Sequence, residues 1–246
     1  MKNYKISKHF LNKQYKIFYT IFIWKVNIIS EGNISRIIEM NEDLTKRNQE
    51  LAKKNNELLK KYNIKSYDVV GAIGSGKTAI LEKLAEYFKN KKKLHVICGD
   101  ITLRLDADRI QKHGANTTQI NTGRECALNA YHIYKVLQVL PLDQIEILFI
   151  ENVGNLICPS DFILGADKRI LVVSVTEGDH VIIKHPLLVK MSEIIIINKI
   201  DLIDVLGTDL ERMINDAKSI NPKIEVIPMS AKTGQNFNKL IEYLNI

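Results

Sequence analysis

A glycine-rich loop between an apolar strand and a helix constrains the fold of this chain more than any other feature. Residues 71–78 read GAIGSGKT and match the pattern GxxxxGK[ST]. The apolar run 67–70 precedes the loop, and a helical pattern with one apolar face follows over residues 77–90. Glycines allow such a loop to curl until its backbone N–H groups point at a phosphate, and the helix N-terminus adds its dipole. The sequence therefore predicts a phosphate-binding loop.

Apolar strands and helices alternate through the rest of the chain. Near-continuous apolar runs at residues 145–150, 169–175 and 194–197 are typical of parallel strands that are covered on both faces. Further predicted elements are strands at 94–98 and 224–228 and helices at 106–113, 124–139, 208–220 and 235–244. This alternation predicts an α/β P-loop NTPase fold, in which a doubly wound, mostly parallel sheet carries helices on both faces.

A polar helix is predicted ahead of the sheet, over residues 33–62. Its seam repeats every seven residues and consists of Ile37, Leu44, Leu51 and Leu58, with Asn41, Asn48 and Asn55 between them. Such a seam either packs on the helix's own domain, which we favour, or is available to a second subunit. The predicted domains are a basic extension (1–32), an N-terminal helix (33–66) and a P-loop domain (67–246).

Most of the positive charge lies at the N-terminus. Residues 1–28 hold six lysines and no acidic residue, so subtracting them from the formal net charge of +7 leaves about +1. The remaining chain is nearly neutral, which argues against a nucleic-acid partner. The apolar run 17–24 is shorter than the roughly 20 residues of a spanning helix, and no signal-peptide cleavage site follows it. We expect a disordered tail or a non-native start; a weak membrane anchor and a docking strand are the alternatives.

Candidate catalytic and magnesium-binding residues lie in the loop and at strand ends. We expect Lys77 to reach the β- and γ-phosphates and the Thr78 hydroxyl to bind Mg²⁺. Asp100 and Glu151 follow predicted strands, where an acid can reach the cation; a helix cap or a solvated loop charge is the alternative role. Gly154 would let the backbone approach the γ-phosphate, and Glu151 or this backbone is the candidate to orient the attacking water.

Residues 198–201 read NKID and point to guanine as the base. The Asp201 carboxylate can accept hydrogen bonds from two guanine donors that adenine lacks, while Asn198 holds neighbouring backbone and the Lys199 stem covers the base. Residues 230–232 read SAK and would supply a backbone N–H to the guanine carbonyl. The predicted GTP-binding residues are Gly71, Gly74, Ser75, Gly76, Lys77, Thr78, Ala79, Asn198, Lys199, Asp201, Ser230, Ala231 and Lys232.

The chain has three cysteines, Cys98, Cys126 and Cys158. An odd number without a secretory signal argues against a disulfide framework and favours a reducing, cytoplasmic setting. Free thiols in that setting are buried apolar groups or metal ligands. Cys98, at the end of a predicted strand, fits the first role.

Several segments together resemble the hydrogenase nickel incorporation GTPases of the HypB type. They are 98–100 (CGD), 106–110 (DADRI), 119–123 (QINTG), 151–159 (ENVGNLICP) and 175–179 (VTEGD). The resemblance runs from about residue 33 to the C-terminus, and ENVGNLICP is its most specific part. It implies a GTP-dependent homodimer with an interfacial metal site. It also implies two partners, a nickel-binding accessory protein and the hydrogenase large subunit.

The resemblance also implies the transition-metal ligands. The family uses a Cys-His pair and a later cysteine, which match Cys126-Ala127 and Cys158, so the histidine is missing here. The following family acid is Asn129 in this chain. Two thiolates per subunit still suit Zn²⁺ or Ni²⁺. On the predicted helix 124–139, His132 lies more than half a turn from Cys126 and would be a poor substitute.

These features predict a GTP-hydrolysing metallochaperone that assists nickel insertion into [NiFe]-hydrogenases, with slow turnover that dimerisation raises. One alternative is a urease-type nickel GTPase, whose Cys-Pro-His motif corresponds to CPS at residues 158–160. Another is a GTP switch without a metal, such as a translation factor, although that class usually has a basic surface. A third is a nucleotide-binding scaffold whose metal site has decayed.

Overall fold

The structure is a computed structural model that describes residues 31–100, 105–123 and 125–245. The predictions for residues 1–30 lie outside this range. Contacts along the chain separate the residues up to Arg47 from a compact unit, Asn48–Ile246. Within the described ranges, every helix is too short or too polar to cross a membrane. The division of the chain at residues 32 and 66 stays a prediction.

Helices and strands alternate as the sequence predicts. The described α-helices are α1 (Glu31–Lys61), α2 (Lys77–Phe88), α3 (Leu105–Lys112), α4 (Ala130–Leu137), α5 (Val181–Lys184), α6 (Pro186–Lys190), α7 (Ile203–Leu206), α8 (Leu210–Ile220) and α9 (Phe237–Leu244). The strands are β1 (Lys65–Gly71), β2 (Leu94–Asp100), β3 (Asn116–Asn121), β4 (Ile147–Glu151), β5 (Lys168–Ser174), β6 (Ile194–Asn198) and β7 (Glu225–Pro228). They form one sheet of order β3-β2-β4-β1-β5-β6-β7, and every pair is parallel. The predicted α/β class and parallel sheet are confirmed.

The sheet is buried on both faces, as β6 illustrates. Ile194 and Ile196 pack in a cluster with α2, α3 and α9, whereas Ile195 and Ile197 pack with α5, α6 and α8. A third cluster joins α1 and α4 to β2 and β4. All four isoleucines are completely buried, and each such burial contributes about 1.5–3 kcal/mol relative to exposure. A strand covered on both faces has no polar face, which explains the continuous apolar runs in the sequence.

Two sequence predictions near β3 and α4 need correction. The strand Asn116–Asn121 was not predicted, because its sequence NTTQIN is polar and it is a half-buried edge strand. The predicted helix 124–139 is shorter and begins at Ala130. Asn129 sets this start, because its side-chain oxygen accepts hydrogen bonds from the backbone N–H groups of the first turn.

The predicted apolar seam of α1 is also wrong for the residues whose side chains are described. Leu51 and Leu58 are only half-buried, whereas Asn48 and Asn55 are buried. Asn55 Nδ2 donates to the carbonyls of Ala130 and Leu164, both at 2.9 Å. The asparagine side chains therefore satisfy backbone groups of the compact unit, and the helix packs on its own domain through them and through the buried Ala52 and Leu59.

Candidate functional site

The predicted nucleotide-binding residues converge at one edge of the sheet. Gly71, Asp100, Glu151 and Asn198 are the last residues of β1, β2, β4 and β6. Because parallel strands end at the same edge, residues far apart in sequence meet there. Two adjoining cavities, each of about 430 Å³, open at this edge.

The glycine-rich loop has the backbone geometry that its sequence requires. Gly76 precedes α2 with a φ of +102°, in the left-handed region that glycine tolerates. A Cβ at this position would lie 2.1 Å from Asn198 Nδ2. A Cβ on Gly71 would lie 2.2 Å from the Val172 carbonyl oxygen. Both positions therefore require glycine, because the loop lies too close to β5 and β6 for a side chain to fit.

Lys77 is buried and folds back on the loop. Its ammonium donates to the carbonyl oxygens of Gly71 at 3.1 Å and Ala72 at 3.0 Å. Burial lowers the pKa of Lys77, and nearby carboxylates, first among them Glu151, oppose that shift. Phosphate oxygens can replace these two carbonyl oxygens as acceptors, so the ammonium would still be hydrogen-bonded after the exchange.

Thr78 and Glu151 form a direct contact next to the lysine. The Thr78 hydroxyl donates to Glu151 Oε1 at 2.7 Å, while the buried Glu151 Oε2 has no hydrogen-bond partner. Burial raises the pKa of Glu151 to about 7, although Thr78 and Lys77 lower it. An unsatisfied buried carboxylate oxygen beside a threonine hydroxyl is a hard-oxygen donor set, which fits Mg²⁺. A bound cation would return Glu151 to its charged form.

The cavity around this contact is lined by the predicted phosphate and magnesium residues other than Gly71 and Ser75. Its described lining includes Gly74, Gly76, Lys77, Thr78, Ala79, Asp100, Glu151 and Gly154. Asp106 and Arg109 of α3 also line it, and they received no role from the sequence. The DADRI segment indicated only a family resemblance, because nothing in its spacing shows that α3 lies over the loop.

The segment after β4 lies against the glycine-rich loop. A Cβ on Gly154 would lie 2.4 Å from Ile73 Cγ1 and 3.1 Å from the Ile73 backbone nitrogen. The Asn155 N–H donates to the Gly71 carbonyl at 3.0 Å. The predicted closeness of Gly154 to the phosphate site is therefore present, and a larger residue would push the two segments apart.

The second cavity is lined by the predicted base-binding residues other than Ser230, which is buried. Its lining includes Asn198, Lys199, Asp201, Ala231 and Lys232 together with Gly76 and Ala79 of the loop. Asn198 joins three segments, because its Nδ2 donates to the Ser75 carbonyl at 2.9 Å and its Oδ1 accepts from the Ala231 N–H at 3.0 Å. Ser230 Oγ donates to Asp201 Oδ1 at 2.5 Å and so orients that carboxylate.

The cysteines differ from the expectation of three free thiols. Cys126 and Cys158 form a disulfide, with Cα atoms 6.1 Å apart, whereas Cys98 is free and buried. The pairing was not predicted because 32 residues separate the two positions along the chain. The structure nevertheless brings together the two residues that the resemblance assigns to a metal. In the described residues, no group of three or more His, Cys, Asp or Glu side chains could hold a metal ion.

Cys126 and His132 do not share a helix as predicted, because Cys126 lies before α4 and not on it. His132 belongs to the capping box of α4, where its Nδ1 accepts from the Asn129 N–H at 3.3 Å. Its Nε2 lies 3.6 Å from the Glu125 carboxylate. Ala127, at the position of the family histidine, is buried.

A buried polar network that the sequence did not reveal ties these loops together. Arg169 Nε donates to Asp68 Oδ2 at 2.8 Å, and its Nη atoms donate to the carbonyls of Pro159 at 3.0 Å and Phe162 at 2.7 Å. Asn152 Nδ2 donates to Asp68 Oδ1 at 3.3 Å. The sequence signals for this network are an aspartate and an arginine inside otherwise apolar strands.

Asn152 also connects the two cysteine-bearing segments. Its Oδ1 accepts from the Leu128 N–H at 2.9 Å, two residues after Cys126. It follows Glu151 directly in the segment that leads to Cys158. The two cysteine-bearing segments are therefore joined through Asn152, next to Glu151.

Comparison with known proteins agrees with this architecture. The CobW/HypB/UreG nucleotide-binding domain matches residues 66–228. A probable hydrogenase maturation factor HypB from Methanocaldococcus jannaschii is 50% identical over 208 residues, which are 85% of this chain and 94% of the relative.

Two solved structures are also similar. The hydrogenase maturation factor HypB of Archaeoglobus fulgidus has a TM-score of 0.76 and 42% identity, covering 81% of this chain and 97% of that one. HypB of Helicobacter pylori in complex with nickel has a TM-score of 0.76 and 34% identity, covering 80% and 93%. The chain therefore belongs to the CobW/HypB/UreG family, and within it to the HypB type.

Proposed function

We propose that this protein binds and hydrolyses GTP and uses the nucleotide cycle to control nickel delivery during hydrogenase maturation. The observation that carries the nucleotide part is that the two cavities share Gly76 and Ala79. One extended nucleotide could therefore reach Asp201 with its base and Lys77 with its phosphates.

The phosphate side of the site can stabilise charge during phosphoryl transfer. We expect Lys77 to leave the loop carbonyls and neutralise phosphate oxygens, since this reaction depends mainly on positioning and charge stabilisation. Thr78, Glu151 and Asp100 would hold Mg²⁺, which supplies Lewis-acid stabilisation of the phosphates. Glu151 in its ionised form, or backbone near Gly154, would orient the attacking water.

The base side of the site supports guanine. Ser230 holds the Asp201 carboxylate in place, which lowers the cost of ordering it when the base binds. Lys199 has a left-handed φ of +63°, so its side chain leaves the strand end in a direction that regular β backbone would not give. We expect its stem to cover the base plane, as the NKID segment predicts.

Nickel is the proposed cargo, and Cys126 and Cys158 are its proposed ligands. Solved structures of the family include a nickel complex of the Helicobacter pylori protein. A reducing cytoplasm would return the disulfide to two thiols, and two subunits of a homodimer would supply four sulfurs for Ni²⁺ or Zn²⁺. Asn155 Nδ2 contacts the Cys158 sulfur at 3.4 Å, and the Asn155 backbone N–H contacts the loop. A movement of the loop on nucleotide binding would therefore be transmitted to this ligand.

The proposal also includes two partners, a nickel-binding accessory protein and the hydrogenase large subunit. They rest on the similarity to hydrogenase maturation factors. Co-purification of the reduced, GTP-bound protein with each candidate would test them.

The nucleotide part is tested by GTP hydrolysis and by sedimentation with GDP or a GTP analogue. We expect slow turnover that rises with protein concentration, a dimer only with the analogue, and loss of hydrolysis in Lys77→Ala. Turnover that is independent of protein concentration would contradict the dimer mechanism.

The metal part is tested by nickel and zinc titration of reduced protein with and without the analogue. We expect stoichiometric binding that Cys126→Ser abolishes and that the buried-cysteine control Cys98→Ala retains. Omitting the reductant should also abolish binding, because a disulfide sulfur is not a thiolate ligand.

A second candidate function is a GTP-dependent scaffold without a working metal site. The buried Ala127 in place of the family histidine favours it. GTP hydrolysis and dimerisation without stoichiometric metal in the reduced protein would establish the scaffold over the metallochaperone.

A further inference from the structure

Helix α3 and the residue that follows it contribute polar side chains to both halves of the nucleotide site. Asp106 and Arg109 line the phosphate cavity, and His113, just after the helix, lines the base cavity. Among the described residues that line either cavity, Arg109 is the only arginine. The sequence alone did not identify an arginine that would stabilise phosphate charge within the subunit.

Arg109 is engaged by a carboxylate in the geometry that a phosphate would use. Its Nε donates to Glu82 Oε1 at 2.8 Å and its Nη2 donates to Glu82 Oε2 at 3.0 Å. Asp106 lies 3.5 Å from Nη1. Two parallel N–H···O bonds from one guanidinium are the arrangement that arginine makes with carboxylates and phosphates alike.

The Arg109–Glu82 pair lies where the two cavities adjoin. Glu82 lines the base cavity and stands four residues after Thr78 on α2, whereas Arg109 lines the phosphate cavity. The Arg109 side chain is 50% exposed and that of Glu82 is 16% exposed. Water reaches the half-exposed guanidinium and screens this pair, so replacing the Glu82 carboxylate with another anion costs little.

The charge balance of the site favours this exchange. Asp100, Asp106 and Glu151 line the same cavity as the cations Lys77 and Arg109. A nucleotide would add several negative charges to a cavity in which acidic side chains already outnumber basic ones. Those charges would attract the Arg109 guanidinium. Arg109 already acts on Glu151, because its charge is one of those that oppose the rise in the Glu151 pKa caused by burial.

We propose that Arg109 is a phosphate ligand for the nucleotide, supplied by the same subunit, and that Glu82 holds its guanidinium until the nucleotide binds. The proposal rests on the proposed function, since it requires that the site bind GTP. On binding, the guanidinium would leave Glu82 and donate its two N–H groups to phosphate oxygens. The phosphates carry more negative charge than one carboxylate, and they are less screened once the cavity is filled.

The test measures the affinity of the full chain, in the presence of Mg²⁺, for GTP, GDP and guanosine. Arg109→Ala is expected to weaken GTP and GDP binding about tenfold, with guanosine unchanged, because only the phosphates lose a ligand. Arg109→Lys should recover part of the loss, since it restores the charge but not the two-pronged donor. Arg212→Ala, an exposed arginine of α8 that lines neither cavity, is the matched control and should bind as the wild type does.

Glu82→Gln distinguishes a phosphate ligand from a structural ion pair. If Glu82 competes with the nucleotide, Glu82→Gln tightens GTP binding about threefold, and it has no effect on binding in the Arg109→Ala background. If the pair only joins α2 to α3, both variants lower the unfolding temperature similarly and leave GTP affinity within twofold of wild type. That result, or a Glu82→Gln that weakens GTP binding as much as Arg109→Ala, would overturn the proposal.

Failure of the proposed function would look different. Wild-type protein that does not bind GTP, or that binds no better than Lys77→Ala, would refute GTP binding itself. Wild-type protein that binds GTP normally while Arg109→Ala is unaffected would refute only the role of Arg109.

Discussion

Arg169→Met would test the buried ion pair between β5 and β1. Asp68 and Arg169 are directly opposite in the sheet register, and both are nearly inaccessible, with 3% and 6% exposure. The methionine would leave the Asp68 carboxylate buried without its cation and would remove the donors of the Pro159 and Phe162 carbonyls. Breaking a buried pair in this way costs about 3–5 kcal/mol. That is a large fraction of the roughly 5–15 kcal/mol by which a domain is stable.

The assay is urea unfolding of the reduced full chain, for the wild type, Arg169→Met, Asp68→Asn and the double variant. Asp68→Asn keeps the shape of the side chain and leaves the arginine without its carboxylate. Because each single variant strands the remaining partner, the double variant should be more stable than the sum of the single effects predicts, by about 2–3 kcal/mol.

Additivity would refute this reasoning. If the two single effects sum to the double-variant effect within about 0.5 kcal/mol, the two side chains contribute independently and the ion pair is not the source of the stability. Arg169→Met that loses less than about 1 kcal/mol would also contradict the claim that the network is buried and coupled.

Three further predictions concern the nucleotide site. Gly76→Ala should abolish binding of a fluorescent GTP analogue in a protein that keeps its circular dichroism spectrum, because the added Cβ would lie 2.1 Å from Asn198 Nδ2; retained binding would disprove the need for glycine there. Asp201→Asn should shift preference from GTP to xanthosine triphosphate in competition binding, and unchanged GTP affinity would exclude Asp201 as the base-selecting residue. Glu151 has a pKa raised from 4.5 to about 7 by burial, so the nucleotide-free fold binds an extra proton between these values and loses stability as the pH rises through them. Urea unfolding at both ends of that window should show this loss in the wild type and a smaller one in Glu151→Gln, and equal slopes would count against the assignment.

Several long-range polar contacts join the glycine-rich loop to the two cysteine-bearing segments. Asn152 contacts the Leu128 N–H near Cys126, and Asn155 contacts both the glycine-rich loop and the Cys158 sulfur. A displacement of the segment after β4 on hydrolysis would therefore move both proposed metal ligands. Such coupling needs two arrangements of this segment with different metal affinity, which nickel titration with GDP and with a GTP analogue would compare.

The sequence by itself determined the features that depend on local conformation. The GAIGSGKT loop requires particular backbone angles within a few residues, so residue type alone marks Gly76 and Lys77. The apolar run at residues 194–197 marks a strand covered on both faces, because burial on both sides removes the polar alternation. The NKID segment is predicted to bind the base because it stands at the end of that strand.

Only the tertiary structure decided which distant segments meet. Arg109 and Glu82 are 27 residues apart, and Cys126 and Cys158 are 32 residues apart. No periodicity links such positions, since their contacts arise from how helices and loops pack over the sheet. The sequence placed asparagines at the second seam position of α1 but could not show their partners, because an asparagine is buried only where a backbone from elsewhere in the fold needs its hydrogen bonds.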